Sequence, residues 1–263
     1  MSSFMRQLPG LAALVLSAVA LALSLGLVGP AKEAAPAAAT ASFSEAQAAE
    51  IGRLSHDYLL QNPEVIRDAI QALQAKEEAA KANRQSEALA QFKDQLFADT
   101  DSPVAGNPEG DVTLVEFFDY KCPYCKQVSP ALEGLLKDDP NLKIVFKEFP
   151  ILGDPSVLAA RAALAAAKQD KYLPFHQAMM AYRGALDLNS IASVAASVGL
   201  DGKKLVDDMG SEAIEKQLSA NHELALALSI RSTPTFIIGD KVMPGALSID
   251  DLKNLIADAR NGS

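Results

Sequence analysis

Cysteine is scarce in this chain: two residues among 263, with three histidines, His56, His176 and His222, set far apart in sequence. A structural zinc site takes roughly four ligands, and neither a second cysteine pair nor a nearby histidine pair exists to complete one around Cys122 and Cys125. A purely structural disulfide has little to offer either, because a bridge across two intervening residues closes too short a loop to restrict the unfolded chain much. No tract rich in methionine or histidine accompanies the pair, and no glycine-rich phosphate loop or Ser/His/Asp arrangement stands out. Positive charge is short as well: 24 Lys and Arg face 33 Asp and Glu, a net charge of −9. Loss of residues 1–41, which hold two cations (Arg6, Lys32) and one anion (Glu33), would take it to −10. Such an acidic body argues against nucleic acid and against anionic membrane surfaces as partners.

What is present begins with a long apolar run. Arg6 precedes an uninterrupted stretch of apolar and small residues from Leu11 to Val28, then Gly29-Pro30 and an Ala/Pro/Thr-rich segment to Ala41. Residues 1–41 read as an export signal and linker, with Ala37-Ala38-Ala39 or Ala39-Thr40-Ala41 as the cleavage motif. At about 18 residues the run is also long enough to stay as a short inner-membrane anchor. Either way the body is expected in an oxidising, extracytoplasmic space, most simply a bacterial periplasm.

Residues 42–75 carry helical patterns and little glycine. One helix is expected over Ser44–Leu60, with Ile51, Leu54, Tyr58 and Leu59 on its apolar side. Asn62-Pro63 restarts the chain, Asn62 as cap and Pro63 at the first helical position. The second helix has Ile66, Ile70 and Leu73 at helical spacing, and later Leu89, Phe92 and Leu96. Between these patches Lys76–Gln85 offers a core little but alanine, so 76–98 reads as a solvated helical linker. An apolar patch beyond a polar spacer must bury itself against another copy of the chain or back on its own body; the former is the economical answer.

From 99 to 263 the pattern is α/β. Ser102–Gly110 is dense in turn formers and marks the entry to this domain. Val112–Phe118 reads as a buried strand and runs into Cys122-Pro123-Tyr124-Cys125, where Pro123 suits the first turn of a helix. Leu142–Phe149 is a second strand, and residues 155–229 are helical with breaks near Gly184, Gly199–Gly202 and Gly210. Thr235–Ile238, a Gly239-Asp240 turn, Lys241–Met243 and a helix over Ile249–Arg260 capped by Ser248 close the chain. Strand, CxxC helix, strand, helical insertion, hairpin and helix make a thioredoxin-like α/β domain with helices inserted into it.

Two cysteines three apart at a strand-to-helix junction point to reversible dithiol/disulfide chemistry. A thiolate attacks disulfides and a thiol does not, and a helix N-terminus supplies free N–H groups and the positive end of the helix dipole. Cys122 is therefore expected as the exposed nucleophile and Cys125, one turn further in, as its resolving partner. The Tyr124 ring, inside the motif, is expected to be exposed and to modulate substrate contact.

Glu116-Phe117-Phe118-Asp119-Tyr120 before the motif, Phe149-Pro150-Ile151-Leu152-Gly153 after the second strand, Arg231-Ser232-Thr233-Pro234-Thr235-Phe236 and Gly245 resemble the DsbA-like thiol:disulfide oxidoreductases of the bacterial periplasm. Tyr58-Leu59-Leu60-Gln61-Asn62-Pro63-Glu64-Val65-Ile66 resembles the N-terminal domain of the ScsC (suppressor of copper sensitivity) group. The resemblance implies that Thr233-Pro234 is a cis-proline loop lying against the cysteines and pairing with the substrate backbone. It also implies that Glu116 is a buried acid relaying protons to Cys125; the alternative is an edge acid paired with Lys147. No cofactor is implied beyond the Cys122–Cys125 disulfide. Implied partners are misoxidised or unfolded exported proteins, a membrane reductase of the DsbD or ScsB type, and further copies of the chain, a trimer being favoured. Threonine before the proline and an oligomeric stalk favour disulfide isomerase or reductase activity; a DsbA-like oxidase is the alternative. Cu(I) held by the soft thiolates of Cys122 and Cys125 is a lesser one. The three histidines read as packing or surface residues.

Overall fold

The computed structural model describes residues 43–262, so the export segment read over 1–41 lies outside the described residues. The chain divides between Ala69 and Ile70 into two compact units. In the first, helix α1 (Glu45–Gln61) opens with a capping box: the Ser44 hydroxyl accepts from the Gln47 N–H, and the Gln47 side chain accepts from the Ser44 N–H. Asn62 ends this helix instead of starting the next one. Its backbone N–H and its side-chain amide both donate to the Tyr58 carbonyl, at 2.8 and 2.9 Å, satisfying an oxygen that the helix leaves free. Helix α2 (Glu64–Gln91) follows. No residue of α1 is buried.

The second unit is built on a five-stranded sheet of β1 (Val104–Gly106), β2 (Val112–Phe118), β3 (Leu142–Glu148), β4 (Thr235–Ile238) and β5 (Lys241–Pro244), in the order β1-β3-β2-β4-β5. Only β2 and β3 are parallel, and α4 (Pro123–Asp138) makes the crossover between them. Strand β1 falls inside the stretch read as turns; three residues are too few to carry a pattern, and the strand exists through antiparallel pairing with β3. The helical insertion between β3 and β4 consists of α5 (Asp154–Ala167), α6 (Tyr172–Ala181), α7 (Leu188–Ser197), α8 (Gly202–Met209) and α9 (Glu212–Ala227), and α10 (Ile249–Asn261) closes the chain.

Because β2 and β3 are covered on both faces, successive residues alternate between two cores. Leu114 and Phe118 of β2 with Ile144 and Phe146 of β3 face Cys125, Val128 and Leu132 of α4. Val115, Phe117 and Val145 face the other way, where Leu89 of α2, Leu96 of α3 (Lys93–Phe97), and Leu224 and Leu228 cover them.

This second core changes the meaning of the segment read as a linker. Lys76–Arg84 has no buried residue, but Gln85 donates to the Leu228 carbonyl, and Ala88, Leu89 and Leu96 are buried among sheet residues. The packing therefore ignores a boundary at 98/99: residues from about 85 belong to the sheet domain. Leu96 is 0% exposed. Leu96→Ala is expected to lower the unfolding free energy by about 2–5 kcal/mol, measured by denaturant titration; a loss below about 1 kcal/mol would mean that the segment is only draped on the surface.

Candidate functional site

Strand parity decides what β2 delivers to the site. Glu116 shares its face with Leu114 and Phe118, the α4 face, and lies opposite Phe146 in the parallel register. Lys147, one residue on from Phe146, points to the other face, where its ammonium donates to Asp99 Oδ2 at 2.5 Å. A Glu116–Lys147 ion pair is thereby ruled out, since the two side chains leave the sheet on opposite sides. Both Glu116 oxygens are buried without a hydrogen-bond partner. Burial pushes its carboxyl up to about 8, so it is mainly protonated at neutral pH.

Past Phe118 the chain turns sharply around Asp119. Its buried carboxylate accepts from the Lys121 N–H at 2.7 Å, the Ser156 hydroxyl at 2.7 Å, and the N–H groups of Ile151 and Leu152 at 2.9 and 3.0 Å. Its carbonyl accepts from the Cys122 N–H at 3.0 Å. One side chain thus ties the CxxC turn to the loop that follows β3.

Cys122 occupies the N-cap position of α4 and Pro123 its first turn, where a missing N–H costs nothing. Both cysteines are free thiols. Cys122 is 3% exposed, which corrects the expectation of an exposed nucleophile. The reason is the Thr233-Pro234 loop: the Cys122 thiol donates to the Thr233 carbonyl at 3.1 Å, and the Thr233-Pro234 bond is cis. Thr233 is half-buried and Pro234 buried. Gly245, with φ of 94°, donates its N–H to the Pro234 carbonyl at 2.8 Å and secures the loop from the far side. Cys125 is fully buried, and burial first, then the charge of Glu116, push its thiol far up. Tyr124 is 59% exposed. The fold therefore gathers Cys122, Cys125, Pro123, Thr233, Pro234 and Glu116, and leaves the Tyr124 ring in solvent.

Sequence reasoning missed a polar network behind this site. Glu148 Oε1 accepts from the Tyr120 hydroxyl at 3.1 Å and from the Tyr172 hydroxyl at 2.9 Å. His176 Nδ1 lies 3.1 Å from the Tyr120 oxygen, and its ring packs on Phe118 and Phe146. Burial pushes His176 down to about 3, so its ring is neutral at neutral pH, and burial raises the Glu148 carboxyl well above the ordinary carboxylate value. One signal for this was available: Glu148 has the inward parity of a strand whose neighbours at that parity are all apolar.

Residues 113–257 match the DSBA-like thioredoxin domain, and residues 47–80 match the N-terminal domain of the copper resistance protein ScsC. The chain belongs to the DSBA-like family. A thioredoxin-like oxidoreductase from Silicibacter pomeroyi DSS-3 is 42% identical, over 65% of this chain and 98% of that one, with a TM-score of 0.63. Proteus mirabilis ScsC in a transitional conformation is 35% identical over 85% of this chain and 99% of that one, also at 0.63. Among curated proteins, the Na(+)/H(+) antiporter NhaA 1 of Salinispora arenicola is 28% identical over 162 residues, 61% of this chain and 25% of that protein. The chain thus spans about a quarter of that relative's length. Family membership makes this DSBA-like chain a relative of thiol:disulfide exchange proteins.

The neutral acid at Glu116 has a thermodynamic consequence. Its folded value lies above the ordinary 4.5, so the folded state holds a proton that the unfolded state gives up. The stability it contributes is complete below about pH 4.5, declines as pH rises, and is lost by about pH 8. Glu116→Gln should remove that decline, gaining on the order of a few kcal/mol relative to the parent between pH 5 and pH 8.5 in denaturant titrations. A variant with the same pH slope as the parent would place an ionised carboxylate at Glu116.

Proposed function

We propose that this protein is a periplasmic disulfide isomerase and reductase acting on misoxidised exported proteins. The Cys122 thiolate attacks one sulfur of a client disulfide, forming a Cys122–client disulfide and expelling the other client sulfur as a thiolate. A different client thiolate can then attack the client sulfur of that bond, which isomerises the client and restores Cys122. Alternatively Cys125 attacks the Cys122 sulfur, which releases a reduced client and oxidises the pair. Fully buried and held as a thiol, Cys125 makes the second route slow and leaves time for the first. In this reading Glu116, in its ionised form, takes the Cys125 proton. A pair that works from the reduced state in an oxidising space needs a membrane reductase of the DsbD or ScsB type to return it there.

The observation that carries the isomerase over the oxidase is the apolar surface of α1 and α2. Ile51, Leu54 and Tyr58 recur at i, i+3 and i+7, and Ile66, Ile70 and Leu73 at i, i+4 and i+7, each between 46 and 57% exposed. Water-facing rows of this kind need a cover. The match of residues 47–80 to the ScsC N-terminal domain supports another copy of the chain as that cover, with a trimer favoured. Several catalytic domains on one assembly raise the local concentration of thiol around a single client and allow repeated reshuffling.

Light scattering should give an oligomer for the parent protein and a monomer for Leu54→Asp/Ile66→Asp. The double variant should keep the reactivity of Cys122 toward a small disulfide yet refold a scrambled-disulfide substrate at least about tenfold more slowly. A monomeric parent, or undiminished isomerisation by the variant, would favour the oxidase. Separately, Cys125→Ser should trap Cys122–client disulfides on non-reducing gels while Cys122→Ser traps none; capture by the second variant alone would reverse the roles of the two sulfurs.

A further inference from the structure

Charge at the rim of the site has one sign. Beside Pro123 lies a groove of about 560 Å3 lined by Lys121, Lys126, Gln127, Arg183 and Leu186. None of the three cations has a carboxylate partner among the described residues. Lys121 Nζ donates to the Leu152 carbonyl at 2.9 Å, Lys126 Nζ to the Tyr182 carbonyl at 2.5 Å, and Arg183 Nη1 to the carbonyls of Met180 and Tyr182. Lys126 and Arg183 reach the same Tyr182 oxygen, at 2.5 and 3.4 Å, so their charges lie within about 6 Å of each other.

The end of α6 does not balance this. Tyr182 is the C-cap of that helix, and a helix C-terminus carries the equivalent of roughly −0.5 elementary charge against two full cations, with Lys121 a third. Burial and the neighbouring Arg183 both weaken the hold of Lys126 on its proton. Asp119 is the acid whose charge reaches Lys126, but its oxygens already accept from four other donors. On a chain of net charge −9, an uncompensated cationic groove beside the nucleophile calls for an anion supplied from outside.

We propose that this groove binds an acidic stretch of the client polypeptide flanking the cysteine that Cys122 attacks. The lining favours a chain over a small ion, because the cations share it with Pro123, Gln127 and Leu186, which suit backbone and side-chain stems. The groove selects clients by local contact, since the acidic body as a whole repels them at longer range. This deepens the reading of Cys122 as the thiol that engages clients, and it rests on that reading.

The test uses reduced full-length protein and three synthetic peptides of equal length. Each carries one cysteine activated as the neutral 2-pyridyl disulfide and flanked by aspartates, serines or lysines. Attack of Cys122 on the peptide sulfur forms the Cys122–peptide disulfide and breaks the peptide–pyridyl bond. The 2-thiopyridone released gives the rate by absorbance. The aspartate peptide should outpace the lysine peptide by about tenfold in dilute buffer, and the gap should close in about 0.5 M salt. Lys126→Gln/Arg183→Gln should cut the aspartate-to-lysine ratio severalfold, whatever it does to the rate with the serine peptide. Equal rates for all three peptides, or a ratio unchanged in the double variant, would overturn the groove and leave the thiol chemistry standing. Glutathione activated in the same way and reacting faster than the aspartate peptide would assign the groove to small carboxylate-bearing thiols and overturn the polypeptide reading. No exchange with any peptide would overturn the client reading and the groove together.

Discussion

A single buried carboxylate holds the junction on which the site depends. Asp119 collects four hydrogen bonds, two of them from consecutive N–H groups of the loop after β3, at the point where β2 stops and the CxxC turn begins. Hydrogen bonds to a charged acceptor are roughly twice as strong as neutral ones, and several on one group fix its position in every direction. Everything beyond follows from that anchor. The Cys122 N–H docks on the Asp119 carbonyl, Cys122 becomes the N-cap, and its sulfur swings under the Thr233 carbonyl. Without this anchor the helix would still form, because Pro123 and the apolar face of α4 specify it, but its first turn would have no fixed address.

How much of this was legible in the sequence depended on whether a feature is local. The CxxC helix was readable because Cys122, Pro123 and Cys125 carry their meaning within one turn, and α10 because Ser248 and Asp251 announce its capping box. Strand β2 was readable from its apolar run. Strand β1 was not: its three residues acquire strand geometry from β3, some forty positions away. Asn62 was misread for a related reason. An Asn before Pro can begin one helix or end another, and only the Tyr58 carbonyl, left free by α1, decides which. The burial of Cys122 is not written in its own segment: it is imposed by a loop more than a hundred residues downstream, which only the family resemblance brings to the cysteines. Parity could have excluded the Glu116–Lys147 pair had the register of β2 on β3 been known; the residues alone do not supply that register.

Apart from the Asp119 carboxylate, burial at the site works against charge. Desolvation holds Glu116 and His176 mainly neutral at neutral pH, raises the Glu148 carboxyl well above its ordinary value, and pushes the Cys125 thiol far up. Each would be costly to ionise there, so the interior resists any step that places a charge on it. Positive charge is concentrated instead at the rim, on Lys121, Lys126 and Arg183.

Under the proposed function, this separation gives the two cysteines different work although they are only three residues apart. Cys122 sits at the N-cap of α4, next in sequence to Lys121 and Pro123 of the cationic groove. Cys125, one turn inward, is packed into the apolar core, and burial pushes its thiol far up. Under the proposed function, resolution is the costlier step, because burial holds the Cys125 proton. A mixed disulfide at Cys122 persists as long as Cys125 cannot lose its proton. In the proposed isomerase, that interval is what lets a client offer a second thiol of its own.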